Sequence, residues 1–168
     1  CAPSSRRRAA FAARRTAAGL IFGFNERASS HIVAIRECLV LAPKLAEALP
    51  RLRTLAEAAP PLWRSFDLHV TLCNNGLDAA FIGGDVSDDL SGPQIMALTE
   101  AARDAGVVRL AADGAPVVMF EAPVVRFGDI PVEIPPGAFL QASVEGEAVL
   151  TDFVTRYAQG GKRIADLF

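Results

Sequence analysis

Phe66-Asp67-Leu68-His69-Val70-Thr71-Leu72-Cys73-Asn74-Asn75-Gly76-Leu77-Asp78-Ala79-Ala80-Phe81-Ile82 contains two apolar stretches, 66–72 and 77–82, on either side of Asn74-Asn75-Gly76. Asn and Gly accept the positive φ that a tight reversal needs, so the segment reads as a β-hairpin. Upstream, Arg8 to Arg15 and Leu20 to Phe24 are strand-like and joined by a turn around Ala18-Gly19, and His31 to Ile35 alternates weakly as a third strand. Leu41, Leu45, Leu49, Leu52 and Leu55 recur at helical spacing, which predicts an amphipathic helix over 43–58. Pro43 suits its first turn, Pro50 is expected to kink it, and Pro60-Pro61 ends it.

Downstream, a polar loop is expected from Gly83 to Pro93, then a helix from Ile95 to Ala105 stopped by Gly106. Strands follow at Val107–Ala111, Val117–Glu121 and Val124–Phe127, with a turn at Gly128-Asp129 and a return over Ile130–Ile134. Ser143 can cap a helix reaching Tyr157, with Glu145 and Glu147 near its positive end and an apolar stripe of Leu150, Phe153, Val154 and Tyr157. Gly160-Gly161 then releases the chain into Arg163–Phe168, which reads as a buried strand with nothing after it. The pattern predicts an α+β fold, an antiparallel or mixed sheet with two or three helices, and a chain cut at a domain edge.

Composition places the chain among globular proteins, with 51% hydrophobic and 21% charged residues. Its 168 residues suit one domain, or one domain with part of another. No apolar run reaches the ~18 residues of a membrane span, and no signal peptide is evident. Cys1, Cys38 and Cys73 are too few and too odd in number for a disulfide framework, which points to a reducing cytoplasm. No membrane partner is expected, and the chain is read as a monomer.

Charge is distributed unevenly. Residues 1–64 hold eleven Lys/Arg and four Asp/Glu, whereas residues 65–168 hold six and fifteen. Arg6, Arg7, Arg8, Arg14 and Arg15 all precede Glu26, the first acid. Such a basic segment suits a polyanion surface, because phosphate contacts supply most nonspecific nucleic-acid affinity; the alternative is a solvated strand edge protected by its charges. Side chains alternate along a strand, so if residues 6–14 form one continuous strand Arg6, Arg8 and Arg14 share one face and are the RNA-binding candidates. Arg7 and Arg15 fall on the other face, available to acids such as Glu26.

Chemical motifs are sparse. The chain has no close-spaced cysteine pair, no zinc-protease helix motif, no phosphate loop and no nucleophile elbow. His31 and His69 read as surface or satisfied histidines. Cys73 reads as a small core residue at a strand end, and Cys38 as a junction thiol between a strand and a helix.

Three segments carry a resemblance: Arg6-Arg7-Arg8-Ala9-Ala10-Phe11 with Gly23-Phe24; Ser30-His31-Ile32-Val33-Ala34-Ile35-Arg36-Glu37-Cys38-Leu39-Val40-Leu41; and Pro135-Pro136-Gly137-Ala138-Phe139-Leu140-Gln141-Ala142 followed by Ala165-Asp166-Leu167-Phe168. In order, these resemble the bacterial RNA (uracil-5-)-methyltransferase family, including its Phe-x-Gln segment and the start of its methyl-donor motif. The resemblance implies that residues 1–134 form the family's central α+β domain. Residues 135–168 would be the connecting segment, helix and first strand of a truncated Rossmann-like methyltransferase domain. It implies S-adenosylmethionine as cofactor, with Gln141 and Phe168 at the donor pocket; Phe139 is read as a core residue. Cys38 resembles one ligand of a 4Fe–4S cluster in the branch acting on 23S ribosomal RNA. A cluster normally takes four thiolates, so none is expected in this chain alone.

The family's chemistry requires a cysteine that adds to C6 of uracil, so that C5 attacks the donor methyl, and a base that then removes the C5 proton. Those two residues lie far downstream in the family, so the chain alone is expected to be inactive. The alternative reading is a noncatalytic RNA-binding module with similar strands.

Overall fold

The computed structural model describes residues 2–87 and 89–165 of the 168. The elements run β1 (Arg8–Thr16), β2 (Gly19–Asn25), β3 (Ile32–Ala34), α1 (Pro43–Ala58), β4 (Ser65–Leu72), β5 (Leu77–Ile82), α2 (Gly92–Asp104), β6 (Val107–Ala112), β7 (Ala115–Met119), β8 (Val124–Phe127), β9 (Ile130–Glu133) and α3 (Val144–Ala158).

The hairpin at Asn74-Asn75-Gly76 lies at the centre of the architecture. Its strands are neighbours in a seven-stranded sheet ordered β3-β2-β1-β4-β5-β6-β7. β5 and β6 are parallel, connected through α2, and the other neighbours are antiparallel. The sheet is therefore mixed, as the sequence predicts. Gly76 has φ +152°, and an added Cβ would sit 2.4 Å from Val108 Cγ1, so the turn needs glycine both for its backbone and for its approach to β6.

One face of the sheet buries Ala9, Phe11 and Ala13 of β1, Phe66, Leu68 and Val70 of β4, and Ala79 and Phe81 of β5, in a cluster with Leu45, Leu52 and Leu55 of α1 and Leu98 of α2. Period two on the strands and 3.6 on the helices thus meet in one core. Trp63, Phe66 and Phe81 pack edge to face, with Phe66 and Phe81 ring centroids 5.4 Å apart. Helix α1 continues through Pro50, which lies on its exposed side. The expected polar loop ends early, because Ser91 caps α2 with a reciprocal Ser91–Gln94 box.

The β8–β9 ribbon forms a separate two-stranded sheet. It closes a second small core of Cys73, Val125, Ile134 and Leu140. Here the reading of Phe139 as core is corrected: Phe139 is 71% exposed and Leu140 takes the buried place. Helix α3 forms where Ser143 predicts it, with the Ser143 hydroxyl accepting from the Gly146 amide at 3.1 Å. Its expected stripe, Leu150, Phe153, Val154 and Tyr157, is exposed. Residues 163–165 are not in a strand, and residues 166–168, including Phe168, lie outside the described residues. Among the described residues no helix is long and apolar enough to cross a membrane.

Candidate functional site

The arginine-rich segment divides between two faces as alternation predicts. Arg8 and Arg14 lie on the side of β1 opposite the helices, in register with Thr71 and Ser65 of β4, whereas Arg6 precedes the strand, bridges to Leu41 and lines the same concavity as Arg8. Arg8 stacks its guanidinium 4.5 Å from the Phe139 ring centroid. Arg6 Nε donates to the Arg8 carbonyl at 3.0 Å, and exposed Arg14 donates to the Ser30 carbonyl at 3.1 Å. A concavity of about 220 Å³ opens on this face, lined among others by Arg6, Arg8, His69, Thr71 and Asp78. Two cations and an exposed imidazole over a floor of small side chains make a surface on which a polyanion backbone can rest.

The other face behaves differently from expectation. Arg7 and Arg15 do not pair with Glu26. Arg15 donates to the carbonyls of Glu57 and Ala59 at the end of α1, and its Nε is buried without a partner among the described residues. Arg7 is buried and reaches across the chain. Its Nε donates to the Gln141 carbonyl at 3.0 Å, and its Nη2 pairs with the Glu147 carboxylate in the first turn of α3. Its backbone N–H donates to the Ala142 carbonyl at 2.8 Å, and its own carbonyl accepts from Leu72 N–H at 2.7 Å. Sequence reasoning missed this role, since Arg7 sits inside a run of arginines and its partners lie 134 and 140 residues away.

Gln141 sits on the connector before α3, partly exposed. Its carbonyl is held by Arg7, whereas its carboxamide makes no hydrogen bond among the described residues. A carboxamide both donates and accepts hydrogen bonds, the capacity that the polar groups of S-adenosylmethionine would need. Close by, a cleft of about 290 Å³ is lined by Ser4, Arg7, Lys44, Asn74, Val144 and Glu145.

Cys38 is a free, half-buried thiol on the loop between β3 and α1, next to Leu39, which is 79% exposed. Among the described residues no group of three or more His, Cys, Asp or Glu side chains could hold a metal ion. Cys38 by itself does not fit a cluster, which would need three further thiolates. Cys73 is buried in the second core, and that burial, followed by the charge of Asp78, pushes its thiol up to about 11. A thiol so protonated is a poor nucleophile.

The sheet, the held connector and the capped helix extend over nearly the whole chain, and so does its likeness to other proteins. The chain is similar to RNA methyltransferases. It is 38% identical over 168 residues to an uncharacterized RNA methyltransferase of Mesorhizobium japonicum, covering 100% of this chain and 40% of that protein. A Brucella melitensis protein of the same description is 39% identical over 169 residues, again covering 100% and 40%. One from Caulobacter vibrioides is 38% identical over 170 residues, covering 99% and 41%. The chain therefore spans about 40% of the length of the curated relatives it matches. No protein-family model matches it.

Proposed function

We propose that this chain is part of an S-adenosylmethionine-dependent RNA (uracil-5-)-methyltransferase acting on 23S ribosomal RNA in the cytoplasm. The observation that carries the reading is similarity along the whole of this chain, about 40% of each relative's length, to proteins described as RNA methyltransferases. The resemblance of the Phe139-to-Gln141 segment and of the residues around Cys38 narrows it to uracil C5 and to the large ribosomal RNA.

In this reading S-adenosylmethionine, when bound, supplies the methyl group. Gln141 offers its unengaged carboxamide to the donor, with Phe168 on the same pocket. Arg6, Arg8 and Arg14 neutralise RNA phosphates on the sheet face away from the helices, while the target base leaves its stack to reach the chemistry. Cys38 serves as one thiolate of a 4Fe–4S cluster, joined by cysteines beyond this chain. The chain alone is inactive because the nucleophile and base lie elsewhere.

The test is methyl transfer by the intact protein to 23S ribosomal RNA carrying C5-tritiated uridine. Tritium release dependent on S-adenosylmethionine is expected. Methyl incorporation without tritium release would keep an RNA methyltransferase but remove uracil C5 as its target. A cluster absorbance lost in Cys38→Ser would support the ligand role, and a full cluster in that variant would return Cys38 to a structural thiol.

A further inference from the structure

We propose that Arg7 is a positioning residue for the methyl donor, acting through Gln141. The inference rests on the reading of Gln141 as a donor contact.

Four bonds converge on Arg7. Two backbone bonds tie it to Ala142 and Leu72, and its side chain grips the Gln141 carbonyl and the Glu147 carboxylate. Residues 141, 142 and 147 are thereby registered as one unit against the start of β1, next to the central strand β4. With the Gln141 and Ala142 carbonyls both held, the stretch of backbone that carries the Gln141 side chain is restrained as well. The carboxamide keeps its hydrogen-bonding capacity, because the guanidinium is engaged by the Gln141 backbone carbonyl and the Glu147 carboxylate and not by the Gln141 side chain.

The charge arrangement argues against simple helix stabilisation. The N-terminal turn of a helix carries partial positive charge, so a guanidinium there is unfavourable unless a carboxylate offsets it. An apolar anchor of similar size would pack this junction without desolvating two charges. What the ion pair adds is a directional fork, which a planar guanidinium supplies and an ammonium does not.

A matched control exists in the same fold. Arg109 is equally buried, pairs with the Asp78 carboxylate and also donates to a backbone carbonyl, that of Ile134. It lies on β6 and makes no hydrogen bond to residues 141–147 among the described residues.

The experiment measures S-adenosylmethionine affinity by calorimetry and melting temperature on the intact protein. The variants are Arg7→Lys, Glu147→Gln, Arg109→Lys, Gln141→Ala and the double variant Arg7→Lys/Gln141→Ala. Arg7→Lys and Glu147→Gln should weaken donor binding about tenfold, the scale of a lost charge-assisted hydrogen bond. Arg109→Lys should lower the melting temperature comparably and leave donor affinity within about twofold. Because Arg7 acts through Gln141, the double variant should bind no more weakly than Gln141→Ala alone. Additive losses would overturn the proposal, as would an Arg7→Lys protein with native donor affinity. Unchanged affinity in Gln141→Ala would instead overturn the donor reading of Gln141, and this inference with it. Should Arg7→Lys fail to fold, Glu147→Gln, which keeps the guanidinium and its backbone bond, decides the matter by the same criteria.

Discussion

Arg109 and Asp78 face each other across the parallel β5–β6 pair in a two-pronged ion pair, with Nε to Oδ1 and Nη2 to Oδ2 both 2.8 Å. The third arm of the guanidinium donates to the Ile134 carbonyl at 3.0 Å, tying the end of the β8–β9 ribbon to the sheet.

Removing one partner strands the other charge in a buried site. Asp78→Ala should therefore cost about 3–5 kcal/mol, whereas replacing both residues with apolar ones of similar volume should recover most of that loss. Denaturant unfolding of the single and double variants measures both. A single variant costing no more than a surface ion pair would show that the pair is hydrated in solution.

Arg6→Ala with Arg8→Ala should weaken RNA binding across unrelated sequences. It should also flatten the dependence of affinity on salt by roughly one power per lost phosphate contact. Arg8 also covers Phe139, so melting temperature must be read on the same sample. Unchanged binding per folded molecule with a lowered melting temperature would remove this face from the RNA interface.

Cys73 carries a pH signature. Its unfolded thiol ionises near 9.0, while burial holds the folded thiol protonated up to about 11. A raised folded pKa means that this contribution to stability is complete below pH 9 and is lost as pH rises through 11. Melting temperature across that window should fall less steeply in Cys73→Ala than in the native protein, after normalising to neutral pH. In a Cys1→Ser background, a thiol reagent at neutral pH should label Cys38 well before Cys73.

Gly23 faces the β3 backbone so closely that an added Cβ would lie 1.9 Å from the Val33 carbonyl oxygen. Gly23→Ala should push β3 off β2 and cost about 2–4 kcal/mol, at the upper end of single substitutions. Hydrogen exchange should show the loss concentrated at Ile32–Ala34. Native-like protection there would mean that the sheet edge can shift to admit a methyl group.

Legibility followed distance along the chain. The hairpin at Asn74-Asn75-Gly76, helix α1 and the Ser143 cap were readable because each is decided by residues within a few positions. Alternation also put Arg8 and Arg14 on one face of β1, although the strand begins at Arg8 and leaves Arg6 outside it. The choice between Phe139 and Leu140 was not readable, because both are apolar and only the pocket made by Cys73, Val125 and Ile134 decides which one enters. The stripe on α3 shows another boundary: periodicity states that a face is apolar, but not that the described residues cover it. The grip of Arg7 on Gln141 and Glu147 left no local trace, since any of five neighbouring arginines could have made it.

The turn that organises the sheet also sets an order of assembly. Asn75 Nδ2 donates to the Ala122 carbonyl at 2.9 Å, and its Oδ1 accepts from the Val124 amide at 3.0 Å. Those partners leave the ribosome 47 and 49 residues after Asn75. The hairpin closes over a short loop and pays little entropy to form, while the ribbon must close a much longer one. During synthesis the hairpin residues are therefore complete before either partner of the Asn75 side chain exists, so the ribbon can engage Asn75 only on a turn whose own sequence is already out.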